Sequence, residues 1–368
     1  MLTPVDFDEA PFLVIWEVTR SCGLACRHCR AEAIDLRHPD ELTLDEGKAL
    51  LDDIVRMGTP IVVLTGGDPL QREDLELLIA YGKQIGLRMA TIPAATPRLT
   101  RDRVTSLRDV ELNQMALSLD GCTAQKHDDF RRVEGSFEKT MEAAAWAREL
   151  GVPLQINTVL GEWNYDDFDA LAELVQSLGI VFWEVFFLVP TGRGSELQGC
   201  SAEQFENLFG RLHQLSQDVS FVVKVTEAPH YRRFVSQQQN GDETAGGKKQ
   251  SSTHPGGHHG HGHGGALTVT RQGVNAGKGF CFVDHVGEVH PSGFLPIITD
   301  NVRATSIIDT YRQSPIFKEL RNPDLLKGRC GQCEFRMNCG GSRARAFALT
   351  GDYLAEDPCC SYIPEGSL

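Results

Sequence analysis

Residues 21–30 read Ser21-Cys22-Gly23-Leu24-Ala25-Cys26-Arg27-His28-Cys29-Arg30 and follow directly on an apolar run, Pro11 to Val18. The loop presents three cysteines at positions i, i+4 and i+7. Three thiolates from one loop can bind three irons of a [4Fe–4S] cube and leave the fourth iron open to a small molecule. Buried cysteines or a zinc site are the alternatives, although a closed zinc site usually takes four ligands from paired Cys-x2-4-Cys segments.

The segment from residue 12 to about 190 alternates short β-rich apolar runs with helical patterns. The predicted strands are Phe12–Val18, Ile61–Leu64, Arg88–Ile92, Gln114–Leu119, Leu154–Val159 and Trp183–Leu188. One predicted helix starts at the capping box Thr43–Glu46 and ends at Gly58, and three more cover 73–85, 136–150 and 165–178. Six βα units in a row predict a parallel sheet with helices outside it, as an open doubly wound sheet or as a barrel.

Polar motifs follow five of these strands. They are the cysteine loop, Thr65-Gly66-Gly67-Asp68-Pro69, Ser118-Leu119-Asp120-Gly121, Asn157-Thr158 and Val189-Pro190-Thr191-Gly192. The carboxyl ends of parallel strands share one edge of the sheet, and α/β folds place their chemistry there. The sequence therefore predicts a single site on that edge.

The order Cys-x3-Cys-x2-Cys, with the ring of His28 before the last cysteine, resembles the signature of the radical S-adenosylmethionine (SAM) superfamily. The resemblance implies an α/β core that forms a partial (β/α)6 TIM-like barrel. It implies that Cys22, Cys26 and Cys29 hold a SAM-binding [4Fe–4S] cluster. It also implies the chemistry, in which SAM is reductively cleaved to a 5′-deoxyadenosyl radical that abstracts a hydrogen atom from the substrate.

The resemblance further implies how the sheet edge binds SAM. Gly66 and Gly67 correspond to a glycine-rich stretch whose backbone accepts from the methionyl amine, and Asp68 stands where many members have Glu. The other implied contacts are Ser118 and Asp120 with the SAM carboxylate or ribose, Arg131 with the carboxylate, Asn157 with the ribose hydroxyls and the backbone near Leu188 with the adenine. Capping of a strand end is the alternative role for the polar residues.

A second set of cysteines lies near the C-terminus, in Cys330-Gly331-Gln332-Cys333-x5-Cys339 and in Asp357-Pro358-Cys359-Cys360. Spacing alone allows either a zinc site or an iron–sulfur cluster. After a radical SAM core, this region resembles a SPASM or twitch auxiliary domain, which implies a [4Fe–4S] cluster. Ser292 and Arg343 stand where a full SPASM domain has cysteines, so one auxiliary cluster is expected. Its expected ligands are Cys330, Cys333, Cys339 and Cys360, with Cys359 as the alternative to Cys360.

Two further stretches, 290–296 and 339–346, resemble the branch of haem d1 biosynthesis enzymes and alternative-haem-pathway decarboxylases, which act on tetrapyrrole side chains. The predicted function is oxidative modification of a substrate by hydrogen abstraction, with tetrapyrrole propionates as the candidate group. Radical modification of a ribosomal peptide or another small molecule is one alternative. A non-catalytic iron–sulfur or zinc protein is the other, and it would leave the glycine and arginine motifs unexplained.

Composition limits the partners. The 368 residues carry a formal net charge of −14, which argues against nucleic acid or an anionic membrane. Arginines near both cysteine sets, among them Arg329, Arg336, Arg343 and Arg345, could form a local basic patch for a flavodoxin or ferredoxin electron donor. The N-terminus has no signal-peptide pattern, and eleven cysteines without that pattern favour metal ligands in a cytoplasmic protein.

The sequence divides into four predicted regions. They are a radical SAM core over 1–200, a connector helix and strand over 201–235, a flexible His/Gly-rich loop over 236–266 and a SPASM/twitch-like iron–sulfur domain over 267–368. Glycine-rich chain cannot fix a ligand geometry, so the five histidines of 254–263 are interpreted as a flexible insertion rather than as a metal-delivery site. Cys281 is interpreted as a buried strand cysteine or as the remnant of a lost cluster.

Overall fold

The computed structural model describes residues 5–244 and 273–365. The predicted histidine segment 254–263 lies outside the described residues. Within them, no helix combines the length and the apolarity needed to cross a bilayer.

Ten strands form one sheet in the order β10-β9-β8-β1-β2-β3-β4-β5-β6-β7. They are β1 Leu13–Glu17, β2 Ile61–Thr65, β3 Arg88–Thr91, β4 Gln114–Ser118, β5 Leu154–Leu160, β6 Phe182–Phe187, β7 Val222–Thr226, β8 Phe280–Val283, β9 Glu288–His290 and β10 Asp300–Asn301. All pairs from β1 to β7 are parallel. The predicted α/β fold with a parallel sheet is confirmed, and β7 and β10 form the two edges of an open sheet.

Twelve α-helices accompany the strands in the described chain. They are α1 Leu44–Met57, α2 Leu75–Gln84, α3 Arg101–Asp109, α4 Ala124–Arg131, α5 Ser136–Leu150, α6 Phe168–Ser177, α7 Ala202–Asp218, α8 His230–Thr244, α9 Ile307–Gln313, α10 Pro315–Arg321, α11 Gly328–Gln332 and α12 Arg343–Thr350. Helix α1 begins at the predicted capping box, in which Thr43 accepts from the Glu46 amide and Glu46 accepts from the Thr43 amide. It buries Leu50, Leu51 and Ile54 against the sheet.

The position of strand β8 does not follow the predicted domain division. It comes from the 267–368 region, yet it pairs in parallel with β1 over Leu13–Trp16 and so extends the core sheet. Cys281 lies in this strand, is fully buried and belongs to the main hydrophobic core. The hairpin predicted near residues 282–290 is present as the antiparallel pair β8–β9.

Helix α8 also differs from the prediction. The flexible loop was expected from residue 236, but the helix continues through the Gln-rich stretch to Thr244. Its first turns are fixed by aromatic packing, because Tyr231 and Phe234 lie 5.4 and 6.0 Å from Phe209 of α7. The packing of the first turns thus supports the whole of α8, although the polar sequence of its later turns gives little indication of a helix.

Candidate active site and a second cysteine cavity

The cysteine loop follows β1 and turns its three sulfurs toward N–H donors. Leu24 N donates to Cys22 Sγ (3.3 Å), Arg131 Nη1 to Cys26 Sγ (3.5 Å) and Ala33 N to Cys29 Sγ (3.4 Å). Burial raises the pKa of the Cys22 thiol to about 12 and raises that of Cys26 as well. Ionising these thiols therefore requires bound positive charge, which an iron cluster supplies.

A cavity of about 1290 Å³, counting its open mouth, lies beside this loop at the carboxyl ends of the strands. Ten of the predicted site residues line it: Cys22, Cys26, Cys29, Gly66, Gly67, Ser118, Asp120, Arg131, Asn157 and Leu188. The prediction placed these residues on one edge, and the fold brings them together there.

Gly66 and Gly67 dock the loop after β2 under the cysteine loop. Gly67 N donates to Thr19 O (2.8 Å) and Asp68 N to Ser21 O (2.7 Å). A Cβ on Gly66 would overlap the Thr19 carbonyl, and one on Gly67 would come within 2.6 Å of the Arg20 carbonyl. The two glycines are thus required for close backbone approach between these loops.

Asp68 does not line the cavity, contrary to its predicted role in SAM binding. Its carboxylate is fully buried and accepts from Leu70 N (3.1 Å), Ala94 N (3.2 Å) and the Thr96 hydroxyl (2.7 Å). The side chain therefore ties the loop after β2 to the loop after β3. Its short length keeps the carboxylate within reach of these local donors.

Arg131 and Asp120 form a buried ion pair at the cavity wall. Asp120 also accepts from Val159 N (2.7 Å), and Arg131 reaches Cys26. Burial alone would raise the pKa of Asp120, but the Arg131 guanidinium, together with smaller contributions from His28, His127 and the Val159 amide, holds that pKa below its usual range. The predicted bidentate contact between Arg131 and a SAM carboxylate thus competes with Asp120, and Arg131 Nε, which has no partner among the described residues, is the free donor.

Ser118 and Asn157 stand opposite each other where β4 pairs with β5. The Asn157 side-chain oxygen accepts from Gln155 Nε2 (2.6 Å), which fixes its amide beside the cavity. Leu188 is buried and its amide donates to Leu160 O (3.2 Å). These three residues thus line the cavity from the carboxyl ends of the adjacent strands β4, β5 and β6.

Arg193 is a cavity residue that the sequence analysis missed. It follows the motif after β6 by one position, and its side chain donates to Cys26 O from Nε (2.9 Å) and to Ala33 O from Nη1 (3.2 Å). Its Nη2 is buried without a partner among the described residues. Its place directly after the Thr191-Gly192 turn was the available indication that Arg193 belongs to the site. Its partners could not be predicted, because they lie more than 150 positions away in sequence.

His28 belongs to an aromatic stack. Its ring lies 4.8 Å from Phe130 with planes 7° apart, and Phe130 stacks on Trp163 at 4.9 Å. Burial lowers the pKa of His28 to about 3, so the ring is neutral at physiological pH. The His28 ring thus packs the cysteine loop against Phe130 of α4, which in turn packs against Trp163 after β5.

A second cavity, of about 430 Å³, contains the four cysteines predicted as auxiliary ligands, Cys330, Cys333, Cys339 and Cys360. Asp357 N donates to Cys330 Sγ and Gly341 N to Cys339 Sγ, both at 3.4 Å. Cys359 does not line this cavity and packs against the main hydrophobic core instead. The geometry therefore favours Cys360 over Cys359 as the fourth ligand.

Neither cysteine set has the spacing of a single-ion site. Among the described residues, ligand atoms of three or more residues lie within 4.8 Å of one another only at Asp284, Glu288 and His290. Four sulfurs around one zinc ion would be about 3.8 Å apart, given Zn–S bonds of about 2.3 Å. No three sulfurs of either set lie within 4.8 Å of one another, which does not match a closed zinc site.

Comparison with known proteins agrees with this geometry. The radical SAM superfamily model matches residues 16–175. An AdoMet-dependent heme synthase of Oleidesulfovibrio alaskensis is 38% identical over 98% of this chain and 89% of its own length. One of Methanosarcina barkeri is 38% identical over 97% of this chain and 98% of its own.

The chain belongs to the radical SAM superfamily. Its fold is similar to the crystal structure of Streptococcus suis SuiB bound to S-adenosylmethionine, with a TM-score of 0.72 at 14% identity over 96% of this chain and 78% of that one. As a radical SAM protein with heme synthases among its relatives, it is an enzyme that uses SAM and a [4Fe–4S] cluster.

Proposed function

We propose that this radical SAM enzyme oxidatively decarboxylates propionate side chains of an iron tetrapyrrole, the kind of conversion that a haem synthase requires. The observation that carries the proposal is the 38% identity to heme synthases over nearly the whole chain. The position of the cavity supports it, because the cysteines and the predicted SAM-binding residues line one cleft at the carboxyl ends of the strands.

The cysteine loop fits the SAM-binding cluster. Cys22, Cys26 and Cys29 would hold it, and together with SAM it would supply a 5′-deoxyadenosyl radical. The residues of the chain would aim SAM: the Gly66–Gly67 backbone, Ser118 and Asn157 line the same cavity as the cysteines. The His28 stack and the buried wall around Leu188 would exclude water from the reacting atoms.

In the proposed conversion, one hydrogen atom would pass from the propionate carbon next to the ring to the 5′-deoxyadenosyl radical. The carboxylate would then depart as carbon dioxide and one electron would be released, which leaves a vinyl group. We propose that the cavity of Cys330, Cys333, Cys339 and Cys360 holds a second [4Fe–4S] cluster that accepts this electron. The hydrogen bonds to the sulfurs and the partial burial of the site would set its potential.

We propose further that the enzyme works in the cytoplasm and receives electrons from a donor of the flavodoxin or ferredoxin type. The basic patch that was predicted to bind this donor is smaller than the sequence suggested, because Arg343 and Arg345 are buried. Arg343 donates to Tyr353 O, and Arg345 donates to Asp357. Arg329 and Arg336 stay partly exposed near the second cavity. Docking there would be weakened by salt.

The test starts with anaerobic reconstitution, iron and sulfide analysis, and reduction with dithionite in the presence of SAM. We expect about eight irons per chain and release of 5′-deoxyadenosine. Incubation with Fe-coproporphyrin III should then give products that have lost carbon dioxide and two hydrogens per converted propionate. SAM cleavage with no change in any tetrapyrrole would contradict the substrate and favour a peptide, as in the peptide-modifying members of the superfamily.

A further inference from the structure

His230 is a buried side chain in the second cavity with no assigned role. It is the first residue of α8, is fully buried and lines the cavity together with the four cysteines. Both of its ring nitrogens lack a hydrogen-bond partner among the described residues. A buried imidazole with two unpaired nitrogens costs free energy unless something in the cavity satisfies it.

The protein around the ring does not satisfy it. One side packs on Phe205 and Phe209, whose ring centroids lie 5.0 and 4.8 Å away. The nearest carboxylate, Asp357, lies 3.8 Å from Nδ1, which is too far for a hydrogen bond. Burial lowers the pKa of His230 to about 3, so the ring is neutral and carries one N–H donor.

Most other polar side chains of the cavity are already engaged, although Arg233 Nε has no partner among the described residues and is a further free donor. Arg233 is paired with Glu206 and Arg329 with Glu356. The Asp357 carboxylate accepts from Ser342 N (2.8 Å) and Arg345 Nη1 (3.1 Å). The four cysteines bring sulfur acceptors for a neutral N–H into this cavity, either as their own sulfurs or as those of a cluster bound to them.

We propose that His230 donates a ring N–H to a sulfur of the auxiliary iron–sulfur cluster and thereby raises the reduction potential of that cluster. Each added electron makes the cluster more negative, so a donor aimed at its sulfur stabilises the reduced state more than the oxidised state. His230 would be a positioning residue that helps the cluster accept the electron released by the substrate. The inference rests on the proposed auxiliary cluster and not on the identity of the substrate.

The test uses the full chain with Cys22→Ala, Cys26→Ala and Cys29→Ala, so that only the auxiliary cluster gives a signal. In this parent, His230→Phe removes the donor and keeps a ring, whereas His230→Gln keeps an N–H donor. His213→Phe is the matched control, because His213 lies on α7 against Phe234 and does not line the cavity. The readouts are iron content, the midpoint potential from EPR-monitored titration, and electron spin echo of protein labelled with 15N-histidine.

We expect the potential of His230→Phe to be more negative than that of the parent and of His213→Phe, with His230→Gln closer to the parent. We also expect a 15N coupling in the parent that His230→Phe loses. Equal potentials in His230→Phe and His213→Phe, or equal shifts in both His230 variants, would overturn the proposal. Loss of the iron from both His230 variants would also overturn it, since His230 would then be a ligand or a folding residue. A parent without auxiliary iron would refute the cluster itself, whereas inactivity on tetrapyrroles would leave this inference intact.

Discussion

Gly66 and Gly67 show at the scale of single residues how the cysteine loop is held. At Gly66 and Gly67 the loop after β2 meets it backbone to backbone, so any side chain at these two positions separates the two loops. The need for glycine thus comes from close contact between these two protein segments.

Gly67→Ala is expected to remove about half of the bound iron and to abolish SAM cleavage, because its methyl group would displace residues 20 and 21 next to Cys22. The auxiliary iron should remain. Gly199→Ala is the control, since an added Cβ there meets nothing within 4 Å. Iron analysis and 5′-deoxyadenosine assays give the answer, and a fully loaded, active Gly67→Ala enzyme would contradict the argument.

Arg193→Met is expected to lower SAM cleavage by at least about tenfold. It removes the hydrogen bonds to the carbonyls of Cys26 and Ala33, of which only Cys26 O keeps another donor, Cys29 N (3.3 Å), and one unsatisfied buried group typically costs about 1–3 kcal/mol. Arg27→Met is the matched control, since Arg27 is an exposed arginine in the same loop. If both variants cleave SAM at the same rate, Arg193 does not hold the loop.

At the scale of elements, the start of α1 is tied to the segment after β10. Arg303 donates to both carboxylate oxygens of Glu46, from Nε (2.6 Å) and Nη2 (3.0 Å). This ion pair and the bond from Thr43 N lower the pKa of Glu46 to about 2. A residue of the capping box thus also joins the first helix to the C-terminal region.

Glu46→Gln is expected to destabilise the apoprotein at pH 7 by less than about 1 kcal/mol, because the pair is partly exposed and Gln still completes a capping box. The pKa is lowered by folding, so the stabilisation is present above the unfolded value of about 4.3 and is lost as the pH falls toward 2. Urea unfolding of both proteins from pH 7 to pH 3 should show the difference shrinking. A difference that grows toward acid would refute this sign.

At the scale of the whole molecule, Tyr311 of α9 joins three distant parts of the chain. Its buried hydroxyl donates to Phe7 O (2.7 Å) and accepts from Gly279 N (3.2 Å), just before β8. Because β8 lies beside β1, the C-terminal region completes the core sheet and shares its hydrophobic core. The two cysteine cavities are thus parts of one folded body.

Tyr311→Phe keeps the ring volume but leaves the Phe7 carbonyl and the Gly279 amide without their partner. We expect a loss of about 1–3 kcal/mol in the free energy of unfolding, measured by urea denaturation of the apoprotein. Tyr165→Phe is the control, because its hydroxyl bonds to Asn207 at an exposed site and should cost less than about 0.5 kcal/mol. Equal effects would show that the Tyr311 bonds contribute no more than a surface contact.

The sequence by itself determined the α/β alternation, the capping box of α1, the cysteine loop after β1 and the edge of the sheet on which the polar motifs meet. These features are local, since hydrophobic period, caps and ligand spacing are written within a few residues. Tertiary structure alone decided that Asp68 turns away from the cavity, that Arg131 pairs with Asp120, that β8 lies beside β1, and that Arg193 and His230 face the cysteines. The physical reason is that these contacts join residues up to 267 positions apart in sequence, as Leu13 and Phe280 are. A local pattern does not specify which distant loop supplies the partner of a buried polar group.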